Sequence, residues 1–297
     1  VEIFRKAIKK LVILILLIYD IKMILITGIN GFIAKNLYNR LKYENNIIGT
    51  TKEESENIVD ILNKNTPSII IHSGAELYDN NKMFESNIIL TYNILEYCKN
   101  ATNLKRLVII GSSSEYGKKN ESMKETDCLT PQTIYAGTKC ACTMLACSYS
   151  HSYNIPIFII RPFTVYGINE KSNKFLQILF NKIRTKDFNI SISQGNHDYI
   201  YIDDFIEALI SIIYNNDNKF DIINIGSGTQ ISNHKVVEIF ETVTNHKFTR
   251  IDSLESKWCD SNCWVSDNSK LLNYYTPKIN LEIGMRKIYE YHSKMNI

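Results

Sequence analysis

The sequence predicts an α/β protein, a doubly wound parallel sheet with a smaller lobe toward its C-terminus, and three observations predict it. From Met23 onward short apolar runs alternate with stretches of helical spacing, the order expected of a parallel sheet covered by helices. Those runs are apolar at consecutive positions rather than at every second one, so both faces of the sheet are expected to be buried. Beyond Gly167 the rhythm becomes less regular, which marks a lobe built onto the first unit. A chain of 297 residues, 44% hydrophobic and 22% charged, is long enough to bury one sizeable core without cross-links.

In order, residues 24–27 read as a strand, 32–43 as a helix, 46–51 as a strand and 52–64 as a helix. Further buried strands follow at 68–72, 106–110 and 155–161, separated by helices at 83–99 and 134–150. The second half carries a helix at 173–185, a turn at Gly195 and Asn196, a helix at 201–214, a strand at 221–225, a turn at 226–228 and a helix at 233–244. Residues 1–22 stand apart, with a basic start followed by an apolar run at 11–19. That run is shorter than the roughly 20 residues a bilayer requires, and no small-residue cleavage site follows it. We read it as an N-terminal extension with a short helix, and expect no membrane partner.

The net charge of +3 is accounted for by residues 1–22, where Arg5, Lys6, Lys9, Lys10 and Lys22 face Glu2 and Asp20. The neutral remainder offers no basic footprint for nucleic acid. Cys98, Cys128, Cys140, Cys142, Cys147, Cys259 and Cys263 form an odd set without CxxC spacing, the usage of free thiols in a cytoplasmic protein. Cys259 and Cys263 lack two further ligands for a tetrahedral ion, so no metal is expected.

The first turn carries the clearest chemistry. Gly28 and Gly31 stand three apart between strand and helix, with Ala34 after them. Gly28 allows a tight turn, Gly31 lets backbone approach a pyrophosphate, and Ala34 lets helix and sheet pack closely. This is the fingerprint of a Rossmann dinucleotide-binding unit, placed at 23–166, with a mainly substrate-binding lobe at 167–297 interleaved with its sheet. A carboxylate at the end of the second strand would accept the ribose hydroxyls of NAD. Here Thr51 and Lys52 stand at that place, and a lysine suits a 2′-phosphate, so NADP is expected, with NAD as the alternative.

Tyr135 and Lys139 lie four apart at the start of a helix, on one face. An ammonium beside a phenol favours the ionised form and brings proton transfer within reach of neutral pH. The Gly28/Gly31 turn, Gly111-Ser112-Ser113-Ser114-Glu115-Tyr116-Gly117, the Tyr135/Lys139 pair, Arg161-Pro162-Phe163-Thr164-Val165-Tyr166-Gly167 and Asn224-Ile225-Gly226-Ser227-Gly228 follow one another in an order that resembles the nucleotide-sugar epimerase/dehydratase family of extended short-chain dehydrogenases/reductases. The resemblance covers residues 23 to about 285.

It implies that Ser112 hydrogen-bonds the sugar oxygen, that Tyr135 exchanges its proton, and that Lys139 holds the nicotinamide ribose. It further implies dinucleotide contacts at Asn30, Phe32, Ile33, Ala75 and Pro162, substrate contacts at Ser113, Thr164 and His197, and a homodimer. His72 reads as structural.

Departures from the family pattern narrow the reaction. Sugar 4,6-dehydratases that resemble the chain carry an Asp-Glu pair where Ser113 and Ser114 stand, so dehydration is not expected. Reductases that also epimerise carry a Cys at the Ser114 position and a His after Tyr166-Gly167, and neither is present. Thr164 replaces a frequent Asn, and His197 replaces an Arg that meets the nucleotide phosphate. The short path from Lys52 to Ser68 omits a strand common in epimerases, as in some compact 4-ketoreductases. The expectation is an NADP-dependent 4-ketoreductase of a nucleotide-linked deoxy sugar. The rivals are an NAD-dependent 4-epimerase and a nonenzymatic NAD(P)-sensing regulator; the intact Tyr135 and Lys139 argue against the latter.

Overall fold

The structure, a computed structural model, describes residues 23–43, 46–253, 261 and 263–294; the extension 1–22 and Cys259 lie outside the described residues. Its strands are β1 (Ile24–Thr27), β2 (Ile47–Thr50), β3 (Ile69–His72), β4 (Arg106–Ile110), β5 (Ile157–Pro162), β6 (Thr164–Tyr166), β7 (Asn189–Ile192), β8 (Asn196–Tyr201), β9 (Phe220–Ile225), β10 (Gln230–Ser232) and β11 (Thr249–Asp252). Six of them form one parallel sheet in the order β2-β1-β3-β4-β5-β9. The chain therefore leaves β1 toward one edge and returns to its other side, which creates a topological switch point between β1 and β3. β2 is an edge strand of this sheet, in keeping with the short path to β3.

Consecutive apolar residues divide between two cores because side chains alternate across a strand. Leu25, Ile70, Leu107 and Ile159 pack toward the helices Ile58–Asn65, Leu90–Cys98 and Ile134–Tyr153. Ile26, Ile71, Val108 and Ile160 pack toward Phe32–Leu41, Phe175–Thr185, Ile202–Asn215 and Leu281–Lys294. Burying each such side chain contributes about 1.5–3 kcal/mol, so a slip of one residue in any central strand would be costly.

Several elements differ from the sequence expectation. The helix expected at 52–64 is a 3-10 turn, Glu54–Asn57, followed by the α-helix Ile58–Asn65, because Asn57 leaves helical geometry at φ −106° and ψ 31°. The helix expected at 83–99 begins at Asn80 and passes through a π-helical stretch, Phe84–Ile89, where Asn87 is buried and bonded into the core. The helix Ile134–Tyr153 runs three residues past its expected end and stops at Asn154 in left-handed conformation.

Asn196, expected in a turn, opens β8. β6, β7, β8, β10, β11 and the Leu281–Lys294 helix were not anticipated. The strands among them form two small sheets, β10-β8-β6 and β11-β7, while β9 returns to the main sheet beside β5. No described helix is long and apolar enough to cross a membrane.

Candidate active site

A cleft of about 1680 Å³ opens where β1, β3, β4 and β5 end, the place at which parallel sheets bind ligands. Gly28, which follows β1, has φ +70°, and a Cβ there would lie 2.6 Å from the Cα of Gly74 in the loop after β3. The two loops thus touch at the switch point, and only a residue without a side chain permits it. The Gly31 N–H donates to the Gly28 carbonyl at 2.7 Å, closing the turn that aims the Phe32–Leu41 helix N-terminus at the cleft. Asn30, Phe32, Ile33, Ala75 and Pro162 line the same cavity. This cradle fits a dinucleotide pyrophosphate, which needs backbone N–H groups and room.

Behind the turn, Thr27 Oγ1 accepts from the Gly74 N–H at 3.0 Å and pairs with His72 Nδ1 at 2.8 Å, while His72 Nε2 meets Thr91 Oγ1 at 3.0 Å. Burial, with Lys139 adding to it, pushes His72 down to about 3, so the ring is a neutral strut.

At the outer end, Lys52 lines the cleft and is paired with a carboxylate. Its Nζ donates to Glu76 Oε2 at 2.6 Å. The lysine bond, then the Tyr78 N–H, holds the Glu76 carboxyl down at about 2. Glu53 and Glu56 line the same end. Thr51 does not line the cleft: its N–H donates to Glu54 Oε2 at 2.7 Å and its hydroxyl accepts from the Glu54 N–H at 3.3 Å, so it caps the following turn.

Ser112, Tyr135 and Lys139 meet at the floor. The Ser112 hydroxyl pairs with Ser114 Oγ at 2.7 Å. Contrary to the expected pull of Lys139, the phenol is pushed up to about 12, foremost by burial, with the nearby Ser112 hydroxyl and the Lys174 ammonium opposing it. Loss of hydration at the phenol is the cause; Lys139, itself buried, donates to the Ile110 carbonyl at 2.8 Å.

Ser113 Oγ accepts from Trp264 Nε1 at 3.3 Å. Thr164 on β6 and His197 on β8 line the cleft from the small sheet, where Thr164 pairs with Tyr199, two residues from His197 and so on the same face. Glu170 also lines the cleft, and burial pushes its carboxyl up to about 8. Among the described residues no cluster of three His, Cys, Asp or Glu side chains could hold a metal ion.

Sequence reasoning missed Glu76, Trp264 and the wholly buried pair Glu115 and Arg161, whose carboxylate and guanidinium Nε stand 3.1 Å apart. For Glu115 a signal was present: Ser112 and Glu115 are spaced as a capping box, and the structure forms one.

The family described as "NAD dependent epimerase/dehydratase family" matches residues 24–226. An uncharacterised UDP-glucose epimerase of Bacillus subtilis (strain 168) is 28% identical over 212 residues, covering 70% of this chain and 67% of that protein. A UDP-glucuronate 4-epimerase of Thermodesulfobacterium geofontis (strain OPF15) is 30% identical over 226 residues, covering 72% of this chain and 66% of that protein. Among solved structures, the UDP-glucuronic acid 4-epimerase of Bacillus cereus, in complex with UDP-glucuronic acid and NAD, superposes with a TM-score of 0.83 at 24% identity, covering 92% of this chain and 99% of that one. That last likeness carries the fold.

Proposed function

The chain belongs to the NAD dependent epimerase/dehydratase family, and on that footing we propose that it is a UDP-sugar 4-epimerase working with bound NAD. The Lys52–Glu76 ion pair carries this reading. It occupies the cation on which NADP selection rested, and the neighbouring Glu53 and Glu56 would repel a 2′-phosphate. A dinucleotide lacking that phosphate suits the site, and 4-epimerisation returns its cofactor unchanged within each turnover. The relatives named as a UDP-glucose epimerase and a UDP-glucuronate 4-epimerase support the same choice.

NAD, when bound, supplies hydride transfer at the sugar carbon. The Gly28/Gly31 turn would cradle the pyrophosphate, with Asn30, Phe32 and Ile33 beside it. Ala75 and Pro162 would wall the dinucleotide, and Lys139 would hold the nicotinamide ribose. Ser112 orients the 4-hydroxyl, and Tyr135 takes and returns its proton. Ser113 and Thr164 offer hydroxyls to the sugar, while His197 faces the nucleotide phosphates. Hydroxyls at Ser113 and Ser114 provide no acid/base pair for removing water, so the chemistry stays at one carbon.

A second reading, NADPH-dependent 4-ketoreduction of a deoxy sugar, is favoured by the 53% exposure of the Lys52 side chain, which could swing to a phosphate. One experiment separates them. Incubated with UDP-glucuronate and NAD, the protein is expected to form the C4 epimer with no net change in reduced cofactor. Inactivity there, with stoichiometric NADPH consumption on a UDP-4-keto-6-deoxy sugar, would establish the reductase instead.

We also infer a homodimer through the outer faces of Leu90–Cys98 and Ile134–Tyr153, where Tyr92, Met144 and Tyr153 are exposed. Sedimentation at the monomer mass across micromolar concentrations would refute it.

A further inference from the structure

The carboxylate of Glu115 is wholly buried directly behind the reacting groups, and its contacts join three elements of the site. Oε1 accepts from the Ser112 N–H at 2.8 Å. Oε2 accepts from Thr143 Oγ1 at 2.8 Å, one helical turn beyond Lys139, and from Arg161 Nε at 3.1 Å, at the end of β5. Arg161 is itself held by the Tyr116 hydroxyl at 2.8 Å, with its guanidinium 4.6 Å from the centre of that ring. Gly111 leaves the corridor open, since a Cβ there would stand 2.5 Å from Glu115 Oε1.

A capping glutamate at a surface turn would do none of this. Such a residue meets solvent, whereas this one is removed from water and bonded to the catalytic strand end, the catalytic helix and β5 at once. Burial pushes the Glu115 carboxyl up, and Arg161, Thr143 and the Ser112 N–H pull it back toward the ionised form, the pairing and hydrogen bonding that a buried charge requires.

We propose that Glu115 is a positioning residue of the reaction: through the Ser112 N–H and Thr143 it fixes where the Ser112 hydroxyl stands beside Tyr135, and through its charge it sets the pH range in which the phenol exchanges its proton with the sugar. This rests on the reading of Tyr135 as the acid/base. The charges that act on the phenol come from every side. Glu115 from the Ser113–Tyr116 turn favours the protonated phenol, and Lys174, ahead of the Phe175–Thr185 helix, favours the phenolate; the Cys142 thiol on the Tyr135 helix is itself raised by burial and uncharged near neutral pH. Lys139 is turned to Ile110, and Glu170 stands across the cleft under the influence of Lys174.

The test is the pH dependence of kcat and KM on the NAD-loaded full chain, with UDP-glucuronate as probe, for the unmutated protein, Glu115→Gln, Thr143→Val and Tyr135→Phe. Glu115→Gln keeps the shape and removes the charge. It should lower kcat about ten- to a hundredfold, leave KM within about threefold, and move the limb assigned to Tyr135 to lower pH by about one unit. Thr143→Val keeps the Glu115–Arg161 ion pair and is the milder change. It should lower kcat about three- to tenfold with KM and the limb in place.

An unchanged kcat in Thr143→Val, or an unmoved limb in a folded Glu115→Gln, overturns the proposal. Normal activity in Tyr135→Phe, or no such limb in the unmutated protein, overturns the reading of Tyr135 instead, so the two failures are distinguishable.

Discussion

The two ends of the cleft are built from different materials. At the dinucleotide end the decisive features are backbone: a left-handed Gly28, a carbonyl closing on the Gly31 N–H, and a helix N-terminus. At the end that the proposed function gives to the sugar they are side chains delivered by separate elements, Ser112 after β4, Tyr135 on a helix, Thr164 on β6 and His197 on β8. Backbone geometry is encoded by neighbouring residues and tolerates little change. Side-chain geometry is assembled from distant segments, so it can be altered piecemeal to give new specificity on one frame.

The sharpest division between the ends comes from Tyr135→Phe. It should reduce turnover about 100- to 10,000-fold while dinucleotide affinity stays near that of the unmutated protein, because only a proton-transfer group is lost. Turnover and cofactor titrations check both halves; near-normal turnover would break the division.

Gly28→Ala is its counterpart. A Cβ 2.6 Å from Gly74 Cα at φ +70° strains the turn, so NAD affinity should fall by at least about tenfold and stability by about 1–3 kcal/mol. Calorimetric titration and a denaturant melt would show it. Unchanged binding would mean that the turn does not meet the pyrophosphate.

Cofactor choice lies between the ends. Glu76→Gln releases Lys52 and removes a repelling charge, so NADPH affinity should rise about tenfold while NADH affinity changes by less than about threefold. If the unmutated protein already prefers NADPH, the NAD assignment fails.

The smallest effect concerns stability in acid. The Glu76 carboxyl is held at about 2, below its ordinary 4.5, chiefly by Lys52. A carboxyl depressed on folding stabilises above its unfolded value, and that contribution is lost as pH falls from 4.5 to about 2. Thermal melts across that window should therefore fall more steeply for the unmutated protein than for Lys52→Ala. Parallel curves would show that the pair is too exposed to matter, as surface ion pairs often are.

Much of the fold was legible because its signals are local. The buried runs at 24–27 and 106–110 are β1 and β4 residue for residue, and the helices near 32, 134, 175 and 233 start within two residues of their expected positions. The strands of the small sheets were not, for a physical reason. β6 and β10 have three residues each, too few to display a period, and they exist because β8 pairs with both. The π-helical stretch was hidden likewise, since Asn87 turns inward to reach Glu76 and Thr138 Oγ1, contacts that span 11 and 51 residues.

By itself, the sequence determined the glycine turn between β1 and its helix and the one-face spacing of Tyr135 and Lys139, because each depends on residues a few positions apart. Only the tertiary structure decided what those groups experience. Lys52 stands 24 residues from Glu76, and nothing local in either segment announces that the ammonium is spoken for. Arg161 reaches Glu115 across 46 residues from another strand, turning an ordinary cap into a buried anchor. Lys139 was expected to acidify Tyr135, but the fold buries the lysine and bonds it to a carbonyl, and the phenol's loss of hydration outweighs the charges around it, so the phenol moves upward.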